Sequence, residues 1–251
     1  PRDLHVDTSG LKPLRPFKNM EDLVQKASIC LQRVHPQFGD VLRQMREMGH
    51  LDLDSRPGKR PGGYNMPLLL TGVPFIFMNA SRSLGDMRTL LHECGHAVHS
   101  YLTRDLPLSF TRRVPSEVAE LAAMSMELLT MDHWDVFFDD KEALRRARLQ
   151  QLENVLKVLP WIATIDKFQH WVYTHPKHTQ AERTQTWLEY FREFNSSHID
   201  HGGLEDYEAH LWHKQLHLFE VPFYYIEYGI AQLGAIAIWQ QYRQHPARTV
   251  E

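Results

Sequence analysis

The sequence predicts a mainly α-helical fold with one small β region, and three observations support this. Apolar residues recur every three or four positions through most of the 251 residues, which is the period of an amphipathic helix. Only two short segments, 68–70 and 73–78, have the composition of strands. Hydrophobic residues make up 43% of the chain, enough for a sizeable core, and we predict one domain over residues 1–251.

The boundaries of the predicted elements follow from capping and breaking residues. Pro36 ends the first helix, and Pro160 separates two later ones. The Pro- and Gly-rich stretch 52–67 is typical of an ordered loop or hairpin, while Thr179 and Glu182 form a capping-box pattern. In chain order we predict an irregular segment over 1–18 and helices over 20–33, 37–48, 87–102, 114–131, 141–159, 161–173, 179–194, 204–218 and 224–243.

Charge and cysteine content exclude several classes of protein. With 28 basic and 31 acidic residues the net charge is −3, so we expect binding neither to nucleic acid nor to an anionic membrane. The two cysteines, Cys30 and Cys94, form no disulfide framework and favour a reducing compartment, the cytoplasm. Residues 1–10 have no signal-peptide pattern, and the absence of an initiator Met indicates a fragment or a processed product. The longest apolar stretch, 228–239, is shorter than the roughly 20 residues of a membrane span and predicts a core helix.

The strongest motif lies at residues 92–96, which read H-E-C-G-H. On a helix, His92 and His96 lie on one face, so both imidazoles can bind one zinc ion. The carboxylate of Glu93 can then accept a proton from a water whose pKa zinc lowers to roughly 7. The alternative is a surface helix with two unrelated histidines. The apolar residues that flank the motif predict a buried helix instead, whose polar groups would stay unpaired unless a metal satisfied them.

A catalytic zinc site needs a third protein ligand and an open position for water. Leu102 stands six residues after His96 and excludes the sites that use a histidine there. Glu117 and Glu120 remain as candidates on the next predicted helix. Glu120 has small neighbours that let two helices approach closely, whereas Glu117 follows a Pro-Ser pair and is typical of a first-turn acid. Glu127 either supports a ligand histidine or an active-site cation, or is a solvated glutamate.

Four segments carry a resemblance to a known family: K-R-P-G-G-Y at 59–64, F-I-F-M-N at 75–79, the stretch 91–101 around the central motif, and V-A-E-L-A at 118–122. With them the chain resembles the thimet oligopeptidase family, and within it the oligoendopeptidase F branch. The similarity is strong over residues 50–130 and weaker over 215–240. The resemblance implies that Glu120 is the third zinc ligand. It also implies that His99 completes the family's H-E-x-G-H-x-x-H pattern and supports the ligands.

The resemblance implies a helical zincin fold with a deep channel and zinc at its floor. Such a channel admits short peptides and excludes folded proteins. An edge strand, which we place at 73–79, is then expected to bind the peptide backbone by strand addition. The candidate substrate-binding residues in the matching segments are Gly62, Gly63, Tyr64, Phe77 and Asn79.

Near the C-terminus a histidine precedes a tyrosine-rich helix start, which also resembles the family. The resemblance implies that Tyr228, Tyr225 and His217 stabilise the oxyanion that develops during hydrolysis. The alternative is a group of amphipathic aromatic side chains at a contact between helices.

Family members are much longer, because an N-terminal helical lobe forms one wall of their channel. We therefore expect that lobe to be a separate chain, to have been cut away, or to be missing from a reduced enzyme. Two rival functions stay open. One is a metallocarboxypeptidase or dipeptidyl carboxypeptidase, in which Arg60, Arg112 or Arg113 grips the C-terminal carboxylate of the substrate. The other is an inactive peptide-binding half of a larger assembly. A purely structural zinc site is disfavoured, because such sites have four ligands and are rich in cysteine.

Overall fold

The computed structural model describes residues 10–60, 62–196 and 199–250. Within them the chain is mainly helical with one small β region, as predicted, and that region is a three-stranded sheet. Residues 1–9 of the predicted irregular start, and Pro61 of the 59–64 segment, lie outside the described residues. The elements in chain order are α1 (Met20–Val34), α2 (Pro36–Glu47), β1 (Leu51–Asp54), β2 (Tyr64–Met66), β3 (Phe75–Ala80), α3 (Leu84–Leu102), α4 (Ser116–Met131), α5 (Lys141–Thr174), α6 (Gln180–Phe194), α7 (Glu205–Ala209), α8 (His217–Glu220), α9 (Tyr225–Gln244) and α10 (Pro246–Val250).

The chain divides into two compact units, which we describe one at a time. The first unit contains Pro13–Gln151 and the chain from Ala231 onward, and the second is formed mainly by Leu152–Ile230. The divisions fall inside α5 and α9. The single domain over 1–251 stays a prediction.

The sheet of the first unit has the strand order β1-β3-β2, with β1 parallel and β2 antiparallel to β3. The prediction of an edge strand at 73–79 is therefore wrong, since β3 is the central strand. Its neighbours β1 and β2 are only four and three residues long. They lie at the start of, or inside, the stretch predicted as loop, where turn-forming residues obscure their pattern. The open edges of the sheet belong to these two short strands.

The predicted strand at 68–70 is also wrong, because this segment forms a turn. Gly72 adopts a positive φ of 67° and donates its amide to the carbonyl of Leu68. Leu70 is fully exposed, so this apolar run has no sheet face to cover. Strand β3 begins only after Pro74, which lacks an amide hydrogen for the ladder.

Helix α3 carries the H-E-x-x-H motif and begins one turn earlier than predicted. Ser83 and Asp86 form a capping box, in which each side chain accepts the other's backbone amide. The apolar residues around the motif are at most 4% exposed: Leu90, Leu91, Cys94, Ala97 and Val98. The expectation of a buried helix is confirmed, and the apolar residues around the motif pack into the core of the first unit.

Helices α3 and α4 cross at Gly95. A Cβ atom on Gly95 would lie 2.5 Å from the Cα of Ala123 and 2.6 Å from the carbonyl oxygen of Ala122. No side chain fits at that distance, so the two backbones are in contact. This close crossing brings Glu120 to the face of α3 that carries the two histidines.

The predicted break at Pro160, a residue of the second unit, is wrong, because α5 runs unbroken over Lys141–Thr174. Proline costs the helix one hydrogen bond, to the carbonyl of Leu156. The Leu156 side chain is 70% exposed, so this turn is at the surface, where water can pair with the carbonyl. After the proline, Ile165 and Phe168 are fully buried in the core of the unit, and this burial favours continuing the helix.

The single helix predicted over 204–218 is wrong as well, since this segment holds α7, a 3-10 turn at Leu211–Lys214 and α8. The indole N–H of Trp187 donates to the carbonyl of Glu208 at 2.8 Å. An unbroken helix would pair that carbonyl with the amide of Trp212. A long-range contact thus ends α7.

Candidate metal centre

The structure brings the side chains of His92, His96 and Glu120 together. One ligand atom from each lies within 4.8 Å of the others, and within the described ranges this is the one such cluster of three or more His, Cys, Asp or Glu residues. An oxygen of Glu120 lies 3.4 Å from Nε2 of His92 and 3.9 Å from Nε2 of His96. Both imidazoles therefore turn the same nitrogen toward the carboxylate that the next helix contributes. Glu117, in contrast, lies in the first turn of α4, as predicted.

Glu127 fixes the orientation of His92 from the other side of its ring. Its carboxylate lies 2.8 Å from Nδ1 of His92. A carboxylate only accepts, so Nδ1 carries a proton, and in the neutral ring that can bind a metal the lone pair is on Nε2, the nitrogen that faces Glu120. Burial alone would lower the pKa of His92, but hydrogen bonds to Glu120 and Glu127 raise it to about 10, so the two glutamates favour a positive charge at this position. Burial and the charge of His92 lower the pKa of His96 to about 4.

Glu93 is 6% exposed, and its Oε2 has no hydrogen-bond partner within the described part of the chain. Burial raises the pKa of this carboxyl to about 7. An unpaired carboxylate oxygen that is buried near His92 and a second glutamate, Glu120, is costly unless a cation or a bound water completes it. Two nitrogens and one carboxylate are also the donor set of many catalytic zinc sites. The residues present therefore fit a zinc ion held by His92, His96 and Glu120.

The glycine-rich loop before β2 lies against Glu93. A Cβ on Gly63 would be 3.5 Å from Oε1 of Glu93 and 3.4 Å from the carbonyl oxygen of Phe77. The missing side chain leaves room beside the carboxylate. Asn79 donates to the carbonyls of Arg60 and Gly62.

The same loop is held to the sheet by two further contacts. Tyr64 stacks on Phe77 at 5.0 Å. The ammonium of Lys59, whose side chain is 1% exposed, donates to the carbonyls of Asp52, Asp54 and Met78. Lys59 belongs to the 59–64 segment, but its anchoring role is not apparent from the sequence.

His99 lies on α3 one turn beyond His96 and is half-buried, and burial lowers its pKa. It is not part of the cluster of three ligand atoms. The sequence reasoning also missed three residues around that cluster. They are Gly95 at the helix crossing, Gln151, which donates to Glu127, and Arg88, which donates to Gln151.

In the second unit, His217, Tyr225 and Tyr228 form an aromatic cluster. Their ring centroids lie 5.2 to 5.6 Å apart. The amide of Gln215 donates to Nδ1 of His217 at 2.7 Å, so Nε2 carries the hydrogen and donates to the Tyr228 hydroxyl at 3.3 Å. Burial raises the pKa of Tyr225. The three C-terminal candidates are thus neighbours, and their part in catalysis stays a prediction.

Comparison with known proteins finds relatives that are all named as peptidases. Residues 25–250 match the family described as peptidase family M3. Oligopeptidase PepF of Bacillus subtilis (strain 168) is 23% identical over 236 residues, which cover 94% of this chain and 34% of that protein. The plasmid-encoded oligoendopeptidase F of Lactococcus lactis subsp. cremoris is 32% identical over 125 residues, or 49% of this chain and 21% of that protein. The solved structure of PZ peptidase A with inhibitor 2 superposes with a TM-score of 0.84 at 30% identity, over 95% of this chain and 42% of that one.

A mainly helical fold whose H-E-x-x-H helix is crossed by a second helix carrying a glutamate defines the helical zincin class. The chain belongs to the oligoendopeptidase F family of M3 peptidases. It spans about a third of the length of the Bacillus subtilis relative and about two fifths of the solved structure. No helix in the described ranges is long and apolar enough to cross a membrane.

Proposed function

We propose that this chain is the catalytic part of a zinc metallo-endopeptidase that hydrolyses short oligopeptides. The observation that carries the proposal is the cluster of His92, His96 and Glu120, with three ligand atoms within 4.8 Å. Family membership supports the substrate class. The expected cytoplasmic location is supported by two buried cysteines, Cys30 and Cys94, which are both free thiols.

When bound, zinc would supply Lewis acidity toward the scissile carbonyl and toward a water molecule. Glu93 accepts the proton of the attacking water and returns it to the leaving amine. Its buried Oε2, which has no hydrogen-bond partner within the described ranges, suits a group that exchanges a proton with a bound water. Glu127 keeps the proton of His92 on Nδ1 throughout.

The substrate backbone adds to the outer edge of β2, because β3 is already paired on both sides. Tyr64 and Met66 on β2 are 42% and 48% exposed, so their side chains are available to a peptide. The absent side chain of Gly63 leaves space for that peptide beside Glu93. This placement replaces the one at 73–79 and keeps the same recognition mode.

The tyrosine and histidine cluster of the second unit is proposed, from the resemblance, to stabilise negative charge on the carbonyl oxygen. Two hydroxyls, of Tyr225 and Tyr228, are the donors that such stabilisation needs. His217 orients Tyr228 through its hydrogen bond. A Tyr228→Phe variant is expected to lose turnover and to keep the zinc affinity of the unmodified chain.

The test pairs zinc content with cleavage of an internally quenched nonapeptide whose C-terminus is amidated, with and without a chelator. We expect about one zinc per chain and chelator-sensitive internal cleavage, with zinc retained and cleavage lost in Glu93→Gln. A protein that leaves this amidated peptide intact but cleaves the same peptide with a free C-terminal carboxylate would point to a carboxypeptidase. Zinc without cleavage would point to a peptide-binding half that needs the rest of a longer enzyme. A chain without zinc would refute the proposal.

A further inference from the structure

A series of hydrogen bonds within the first unit links the proposed zinc site to the buried side chain of Gln151 and to half-buried polar side chains around it. Glu127 contacts Nδ1 of His92 with Oε1, and its other oxygen, Oε2, accepts from the amide nitrogen of Gln151 at 2.9 Å. The amide oxygen of Gln151 in turn accepts from Arg88 at 3.1 Å. The hydrogen bonds therefore connect Arg88 to Gln151, Gln151 to Glu127, and Glu127 to His92.

Because Gln151 is buried, loss of either of its hydrogen bonds would cost free energy. Gln151 is 2% exposed, so an unpaired amide group there would cost about 1–3 kcal/mol. Gln151 stands on α5, 24 residues after Glu127, and nothing in the local sequence links it to the motif. Its two partners account for both ends of its amide.

The donor and acceptor roles of the side chains allow only one arrangement of these hydrogen bonds. Arg88 can only donate, so the oxygen of Gln151 must face it, and the NH2 group must then face Glu127. Glu127 receives N–H groups on both oxygens, an arrangement that an ionised, acceptor-only carboxylate satisfies fully. Its Oε1 consequently requires the hydrogen of His92 on Nδ1, which leaves Nε2 as the ligand atom.

We infer that Gln151 is a positioning residue of the metal centre, which together with Arg88 orients Glu127 and thereby sets the tautomer and ring orientation of His92. This inference rests on the proposed zinc site. Burial lowers the pKa of Arg88 and the charge of Glu127 raises it, which fits a guanidinium retained in the interior as the counter-charge of this carboxylate. Outer partners of ligand histidines typically change metal affinity by about 10–100-fold.

The experiment measures zinc affinity by competition with a chromophoric chelator, and the visible spectrum of the chain loaded with Co²⁺. Gln151→Met keeps the volume of the side chain and removes both hydrogen bonds. We expect it to weaken zinc binding about 10-fold or more and to shift the cobalt bands, while circular dichroism stays unchanged. Gln232→Met is the matched control: Gln232 is 5% exposed in the same unit, and this variant should bind both metals normally.

A second variant and a double variant test whether Gln151 acts on His92 through Glu127. Gln151→Glu keeps the contact with Arg88 but loses the donor to Glu127, so it should weaken zinc binding even if Gln151→Met does not fold. Because Gln151 acts through Glu127, adding Gln151→Met to Glu127→Gln should weaken zinc binding no further.

The inference would be overturned if the unmodified chain binds zinc and both Gln151 variants bind it equally well with the same cobalt spectrum. It would also be overturned if the double variant lost zinc affinity by the sum of the two single losses. The same holds if the control, Gln232→Met, lost as much zinc affinity as Gln151→Met. If the unmodified chain binds no zinc, the proposed function itself fails, which is a distinguishable result.

Discussion

At the scale of single residues, the three glutamates of the candidate site differ in their partners, and this separates their roles. Glu120 faces Nε2 of both histidines, so it is placed to share a metal ion with them. Glu127 is occupied on both oxygens by N–H donors and is placed to hold His92. Glu93 keeps one buried oxygen without a hydrogen-bond partner in the described ranges, which suits a group that must exchange a proton.

The ligand assignment predicts opposite effects for two glutamates of α4. Glu120→Ala should lower zinc affinity by more than the roughly 10–100-fold typical of losing an outer partner. Glu117→Ala, in the first turn of the same helix, should bind zinc like the unmodified chain. Chelator competition on both variants checks this, and a larger loss in Glu117→Ala would reverse the assignment.

The lowered pKa of Asp52 predicts that the stability of the folded protein depends on pH. Hydrogen bonds from Arg56, and then from the buried Lys59, lower its pKa from 3.8 to about 2. The folded state thus favours the ionised form, and this stabilisation is fully present above about pH 4 and is lost as the pH falls toward 2. We expect the difference in free energy of unfolding between the unmodified chain and Asp52→Asn to be constant from pH 7 to 5 and to shrink below pH 4. Urea titrations at each pH measure it, and a difference that persists unchanged at pH 3 would contradict it.

At the scale of elements, the site depends on the crossing of α3 and α4. The ligands His92 and His96 are on one helix and Glu120 on the other. Their separation is set by how closely the two backbones approach, and Gly95 permits contact without an intervening side chain. The glycine inside the motif is therefore a packing requirement of the metal centre.

Gly95→Ala should push the helices apart, since its Cβ would lie 2.5 Å from backbone atoms of α4. Overpacking of a core typically costs about 1–3 kcal/mol, and zinc affinity should fall with it because Glu120 moves away. Gly85→Ala, on the same helix, is the control: its Cβ would meet only the Ser83 hydroxyl, at 3.4 Å. Urea unfolding and chelator competition compare the two, and equal behaviour would show that the crossing tolerates a side chain.

At the scale of the whole molecule, the three proposed ligands lie in the first unit, on two helices that also contribute to its core. A metal ion that binds only the folded unit stabilises it by mass action, by about 4 kcal/mol at a free concentration 1,000 times Kd. The chain nevertheless spans only about a third of the length of the Bacillus subtilis relative. Metal binding and peptide turnover are therefore separate questions for this chain.

We expect removal of the metal to lower the thermal stability of the protein. A chelator should lower the Tm of the zinc-loaded chain by roughly 10 °C, given about 2–4 °C per kcal/mol for a chain of this size. Added zinc should restore it, and Glu120→Ala should show almost no response to either reagent. Scanning calorimetry measures this effect. An unmodified chain whose Tm ignores the chelator would contradict it.

The sequence by itself determined the features that depend on near neighbours along the chain. The mainly helical class follows from apolar periodicity, and the capping box at Thr179 and Glu182 is present as predicted. The burial of α3, and the placing of His92, Glu93 and His96 on it, follow from spacing within one helix. Local signals failed where distant contacts outweighed them, as at Pro160, where burial of the following residues keeps α5 continuous.

Only the tertiary structure decided which distant residues meet. The sequence favoured Glu120 over Glu117, but it is the helix crossing at Gly95 that brings this one turn of α4 to the histidines. The tertiary structure placed β3 at the centre of the sheet, because two strands too short to be recognised pair on either side of it. It also joined Gln151 to Glu127, since a hydrogen bond between side chains 24 positions apart depends on packing that no local pattern of residues records.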